Sequence, residues 1–214
     1  MNRGQRGFTL IEILVVMAVL GILLGTSLPL VSALIDRRRE EDVRGELESI
    51  AQALDAYYFD RASFPSSLAD PRFLGAYLNP GLNGTAVRDG WGANVDYGYR
   101  RTASPDIATV WSRGPNGVDE AGGGDDLRVA THGSVAGYRK TRARMSIILA
   151  ALARHVESGG RLSGTWSVDR AEMGLGESYQ NDGFGTPFRL EPSTHTLSSS
   201  GPDRIHGTPD DLTP

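Results

Sequence analysis

The sequence predicts an α+β protein: a long N-terminal helix, then two small heads, each built from a helix, a short antiparallel sheet and a glycine- and aspartate-rich loop. Three observations lead to this reading. Ile13 to Ile35 contains no charged residue. Beyond that run, apolar residues continue at helical spacing. Finally, a set of aspartate, glycine and proline marks occurs twice in the same order. The expected organisation is a leader over 1–7, a membrane helix over 8–36, a first head over 37–128, a linker over 129–144 and a second head over 145–214.

The uncharged run justifies the first element, because about 20 apolar residues suffice to cross a bilayer. A cleavable secretory signal is the competing reading, but it calls for a shorter apolar core that ends in a small-x-small site. Arg3 and Arg6 lie on the N-terminal side, which places that end in the cytoplasm. Arg37-Arg38-Arg39 on the far side runs against this orientation; Glu40, Glu41 and Asp42 offset it locally, although acids count for little in topology. Glu12 is the one acid near the start of the run. An ionisable group inside a membrane span is costly and marks function by default. The simpler alternative is a helix-start acid that favours the positive end of the helix dipole and reaches the interface.

Gly7-Phe8-Thr9-Leu10-Ile11-Glu12 resembles the processing motif of type IV prepilins and type II secretion pseudopilins. The resemblance covers about 30 residues of this chain. It implies that a prepilin peptidase cuts between Gly7 and Phe8 and methylates the new amino group of Phe8. It also implies that Glu12 pairs with the amino terminus of a neighbouring subunit during filament assembly. Pro29 resembles the family's helix kink; independently of family, proline deletes one helical hydrogen bond and bends the rod.

Composition bounds the rest. Net charge is −4, and removing Arg3 and Arg6 with the leader makes it −6 (20 basic against 26 acidic). An acidic head argues against nucleic acid as partner. With no cysteine and 27 glycines, the exported part has no disulfide to staple its loops, and glycine adds to the backbone entropy lost on folding.

Val43, Leu47, Ile50, Leu54 and Tyr57 recur at spacings of four and three and predict an amphipathic helix that ends near Arg61, before Ser63-Phe64-Pro65. Asp89-Gly90-Trp91-Gly92 precedes the alternating Asp96-Tyr97-Gly98-Tyr99, and Ile107–Trp111 reads as a strand. In the second half Met145, Ile148, Leu149, Leu152 and Val156 form another helical stripe, stopped by Gly159-Gly160. Asp182-Gly183-Phe184-Gly185 then precedes the strand Phe188-Arg189-Leu190. The Asp-Gly-aromatic-Gly marks lie 93 residues apart, the Gly-Pro marks 87 and the Asp-Asp-Leu marks 85. That order indicates duplication; chance matching of glycine-rich loops is the alternative. Between the halves, Thr131-His132-Gly133-Ser134 reads as loop. Arg139, Lys140, Arg142 and Arg144 read as a solvated helix start rather than a site for nucleic acid or anionic lipid.

Each half ends in Ser-x-Gly-Pro-(Asn/Asp), a glycine-bearing stretch and Asp-Asp-Leu. This resembles the C-terminal loop of the type II secretion major pseudopilin, and the resemblance implies calcium. The acidic ligand positions fall on Asp203, Asp210 and Asp211 in the second loop. In the first they fall on Asn116, Asp125 and Asp126, where Asn116 offers a carbonyl oxygen at one less negative charge. The second loop is therefore expected to fit better, although Arg204 stands where the family often has glycine. Calcium takes six to eight oxygens in flexible geometry, which suits such loops. Neither loop has EF-hand spacing. Two solvated acidic turns are the plainer reading, since Asp, Gly and Pro are ordinary turn residues. His132, His155, His195 and His206 show no metal-ligand spacing.

No Gly-x-Ser-x-Gly, phosphate loop or His-Glu-x-x-His is present, and a two-metal site needs further converging ligands, so no enzyme is expected. The resemblance implies a pseudopilin of a type II secretion filament, single-pass in a bacterial inner membrane with its heads in the periplasm. It implies other pseudopilin subunits, the prepilin peptidase, the inner-membrane secretion platform and the membrane as partners. Two alternatives stay open: a minor pilin of a type IV pilus, and a membrane-anchored calcium-binding module that does not polymerise.

Overall fold

The computed structural model describes residues 9–81, 86–91, 95–103 and 105–214, and for 24–30 it describes the backbone alone. Gly7, Phe8 and the side chain of Pro29 therefore lie outside the described residues. The chain divides into two compact units, Met1–Asp42 and Val43–Pro214.

The first unit holds the start of α1 (Leu10–Arg61). Its apolar side chains, among them Leu10, Ile13, Leu14, Val16, Met17, Leu20 and Leu23, are exposed all around the helix. A helix that is apolar all round needs an apolar environment on every side. Among the described residues no helix is long and apolar enough to cross a membrane.

In the second unit the predicted stripe is the core face of α1: Val43, Leu47, Ile50, Leu54 and Tyr57 are each at most 5% exposed. They form one core with Tyr58, Phe64, Phe73, Tyr97, Ala108 and Val110. The helix stops at Arg61, and Ala62 takes a left-handed φ of 54°. β1 (Gly98–Ala103), β2 (Asp106–Ser112) and β3 (Leu127–His132) form an antiparallel sheet in the order β1-β2-β3. Next come α2 (Gly133–Glu157), α3 (Trp166–Glu172) and the hairpin of β4 (Arg189–Glu191) and β5 (Thr196–Ser198). A second core gathers Met145, Ile148, Leu152, Trp166, Phe188, Leu190 and Leu197. The architecture is α+β, with helices packed beside small antiparallel sheets.

Three expectations are corrected. Residues 129–144 are not a linker: β3 runs to His132 and α2 begins at Gly133. The early glycines of α2 permit close approach, since a Cβ at Gly133 would run into the Tyr58 ring and one at Gly137 into the Phe184 ring. Ala136 joins the first core and Met145 the second, so one helix serves both, and between them Gly137, Lys140 and Thr141 are buried. Thr131-His132-Gly133-Ser134 is strand end and helix start, not loop. The basic cluster is solvated only in part: Arg139 and Arg142 are exposed, whereas Lys140 is buried and Arg144 half-buried. The Lys140 ammonium, 8% exposed, donates to the carbonyls of Phe59 and, at 3.1 Å, Asp60. Arg144 Nη1 donates to the carbonyls of Asn181 (2.6 Å) and Asp182 (3.2 Å), and Arg139 pairs with Asp55 at 2.9 Å. Burial holds Lys140 and Arg144 below their usual pKa ranges.

Candidate functional site

At the N-terminal end, the Glu12 amide donates to Thr9 Oγ1 (3.4 Å) and to the Thr9 carbonyl (3.1 Å), as Thr9 caps α1 from the position before Leu10. The Glu12 carboxylate is exposed in the first turn. Thr-x-x-Glu is a helix-start pattern, so local geometry alone accounts for an acid here. What it does not account for is the ring of exposed apolar side chains that follows.

The two aspartate loops are built alike. In the first, buried Asp89 accepts from Ser112 Oγ (2.6 Å), Arg113 N (2.6 Å) and Trp91 N (3.0 Å), while Gly114 N donates to Ser112 Oγ at 3.2 Å. In the second, buried Asp182 accepts from Ser199 Oγ (2.7 Å), Ser200 Oγ (3.3 Å) and the amides of Phe184 and Thr186 (both 2.9 Å). Gly201 N there donates to Ser199 Oγ at 3.3 Å. Each serine pairs with the leucine that closes its loop: Ser112 with Leu127, and Ser199 with Leu212. Gly114 (φ +61°) and Gly201 (φ +67°) are required in the same way, because a Cβ would strike the carbonyl oxygen of Asp125 or Asp210. The turn amides then fall on the acids: Asn116 N and Gly122 N on Asp125 and Asp126, and Asp203 N and Gly207 N on Asp210 and Asp211.

The acids within the loops are not alike. In the first loop the ligand oxygens of Glu120, Asp125 and Asp126 all lie within 4.8 Å of one another. Among the described residues this is the group of three acids close enough to share an ion; Asp203, Asp210 and Asp211 do not form one. Asp126 Oδ1 is buried without a hydrogen-bond partner among the described residues. The Asn116 side chain does not offer the free carbonyl oxygen expected of it. Its Oδ1 accepts from Val118 N at 2.6 Å, and its Nδ2 donates to Asp125. In the second loop Thr208 Oγ1 donates to Asp210 Oδ1 at 2.6 Å and reaches Asp211 Oδ1 at 3.4 Å. That hydroxyl holds the Asp210 carboxyl below its usual range. The position of Thr208 in the repeat is occupied by Gly123 in the first loop, so no hydroxyl is supplied there. Converging acidic oxygens, with Asp126 Oδ1 left without a partner, are thus the property of the first loop and not of the second, where the better fit was expected.

Glu120 was not among the sequence candidates. Its signal was the shortening of the repeat offset from 87 to 85, which places two additional residues between Gly114 and Asp125. Ser112, Ser199 and Thr208 were missed as well; a serine or threonine in a glycine-rich loop carries no spacing that sets it apart.

Comparison with known proteins addresses the N-terminus first. Residues 2–28 match the prokaryotic N-terminal methylation motif. The chain is 43% identical over 66 residues to the type II secretion system core protein G of Pseudomonas aeruginosa, covering 31% of this chain and 46% of that protein. It is 29% identical over 134 residues to the Klebsiella pneumoniae core protein G, covering 58% of this chain and 92% of that one. Over these stretches the chain is similar to type II secretion core G proteins. A type IV major α-pilin of Moraxella bovis is 41% identical over 57 residues, which is 27% of this chain and 36% of the pilin. Similarity to the core G proteins can thus run well beyond the N-terminal helix, whereas the pilin match is shorter. The match to the Pseudomonas protein spans about half of its length. The core G proteins are type II secretion system proteins by name, and the Moraxella protein is a pilin by name. No solved structure matches the chain.

Proposed function

We propose that this chain is a pseudopilin: a subunit held in a bacterial inner membrane by its N-terminal helix and then polymerised into a type II secretion filament that drives protein export, with its heads in the periplasm. The observation that carries this reading is the methylation motif over residues 2–28, which overlaps the start of a helix whose apolar side chains are exposed on every side. A prepilin peptidase would cleave after Gly7 and methylate Phe8. Glu12 would then meet the Phe8 amine of a neighbouring subunit, because an acid buried unpaired in an apolar filament core costs several kcal/mol, on the order of 2–7 for a polar group left without a partner. Other pseudopilins and the secretion platform of the inner membrane are the partners this implies. The type IV pilus alternative is less favoured, since the 134-residue similarity to a core G protein includes head residues.

The cation belongs to the same proposal. Calcium would be held in the first loop by Glu120, Asp125 and Asp126, where it would neutralise three converging carboxylates and engage the buried Asp126 Oδ1. The shared Asp-Ser-Gly clasp supports internal duplication of the head.

The test is expression with a prepilin peptidase, followed by mass spectrometry and sedimentation of sheared filaments. Glu12→Val is expected to give a cleaved, methylated membrane protein that does not sediment as filaments. A chain that is never cleaved between Gly7 and Phe8, or a Glu12→Val protein that assembles normally, refutes the proposal.

A further inference from the structure

The two loops are built on the same clasp and share a left-handed backbone step, but different residues occupy it. The residue after Asn116 is Gly117, with φ +69°; the residue after Asp203 is Arg204, with φ +63°. A left-handed backbone is natural for glycine and strained for arginine. Such strain persists where surrounding contacts over-determine it. The Arg204 side chain supplies those contacts, and they lie outside its own loop. Nε donates to the Phe184 carbonyl at 2.9 Å. Nη2 donates to the Ala62 carbonyl at 3.1 Å and pairs with Asp106 Oδ2 at 2.6 Å. Asp106 is fixed in turn by Tyr58, whose hydroxyl donates to the same Oδ2 at 2.6 Å from the core face of α1. The phenol is pushed above its ordinary pKa by burial and by that carboxylate. Ala62 is the left-handed residue just past the end of α1, so the guanidinium fork closes over the helix terminus and the start of β2 together.

We infer that the second aspartate loop has exchanged cation binding for docking, with Arg204 latching it onto the first head at Asp106 and Ala62. The fork geometry suits a carbonyl and a carboxylate held side by side. The loop can keep its shape without an ion, because Thr208 supplies the hydroxyl that the first loop lacks and backbone amides satisfy Oδ2 of Asp210 and of Asp211. One copy of the duplicated loop would thus keep the cation chemistry and the other would join the two halves. This holds whether or not the chain polymerises.

The test uses the full chain in detergent micelles, with Arg204→Gly, Arg204→Lys and Asp106→Asn, and amide hydrogen exchange as the readout. Arg204→Gly restores the residue that the first loop uses and removes the backbone strain, so the loop can still form. Exchange at Ser199, Gly207 and Leu212 is expected to rise at least five-fold in Arg204→Gly and in Asp106→Asn, with the double variant no faster than either. Arg204→Lys, which keeps the charge but not the fork, should fall between. A chelator should leave exchange in the wild-type second loop unchanged. The inference is overturned if Arg204→Gly exchanges within two-fold of wild type. It is equally overturned if calcium restores protection in that variant, or if a chelator opens the second loop of the wild type.

Discussion

Truncating Asp182 should cost the second head more stability than any single apolar contact it makes. The carboxylate is 1% exposed and accepts four hydrogen bonds, from Ser199 Oγ, Ser200 Oγ, Phe184 N and Thr186 N. In Asp182→Ala all four donors lose their acceptor. A buried donor left unpaired costs about 1–3 kcal/mol. The two amides are fixed by the turn and count in full, whereas the two hydroxyls can rotate toward other acceptors; together they give a loss of about 4 kcal/mol. Asp182→Asn keeps one acceptor oxygen for the amides and forces Ser199 Oγ to accept where it now donates, so it should cost about 1–2 kcal/mol. Urea unfolding followed by the fluorescence of Trp166, which lies in the second core, measures both. At a slope of about 2 kcal/mol/M, Asp182→Ala lowers the midpoint by about 2 M and Asp182→Asn by roughly 0.5–1 M. If Asp182→Ala moves it by less than about 0.5 M, or less than Asp182→Asn does, then the clasp is not what holds the loop to its sheet.

Three further outcomes are expected. Gly137→Ala drives a methyl into the Phe184 ring and should destabilise by about 1–3 kcal/mol in the same unfolding assay, whereas Gly45→Ala, with open space around it, should not. If the first loop holds calcium, terbium luminescence sensitised by Trp111 should be lost in Glu120→Gln and kept in Asp210→Asn; equal loss in both would contradict the assignment to the first loop. The third concerns pH. Asp210 is held low by Thr208, and Asp119 is held low by the Trp111 indole. A depressed carboxyl gives stability that is present above the unfolded value near about 4 and lost as pH falls through the folded value. The Asp203 and Ala121 amide shifts, which report on these carboxylates, should therefore titrate below about pH 4. Movement between pH 5 and 8 would show that other groups control the loops.

The helices were legible in sequence where their periodicity met a core. The stripe from Val43 to Tyr57 gave the buried face of α1 and its end at Arg61, because a four-three spacing ended by Ser63-Phe64-Pro65 leaves few alternatives. The start of α2 was hidden for the opposite reason. Gly133, Gly137 and Lys140 are poor signals of a buried helix face, yet each is needed there, two for close approach to aromatic rings and one to reach a helix terminus. The repeat in the loops was visible, but the contribution of each carboxylate was not. Whether an acid is orphaned depends on where a hydroxyl such as that of Thr208 points, and an insertion of two residues decides whether Glu120 can converge with Asp125 and Asp126.

The carbonyls at and just past the end of α1 have distant partners. Phe59 and Asp60 are met by Lys140, 81 and 80 residues downstream, and Ala62 by Arg204, 142 residues downstream. A chain synthesised from its N-terminus therefore presents this helix end before the groups that cap it exist. The core on the inner face of α1 can gather early, whereas the carbonyls of Phe59 and Asp60 wait for Lys140 and that of Ala62 for Arg204. Order of emergence thus separates the forming of α1 from the arrival of the groups that hold its C-terminal end.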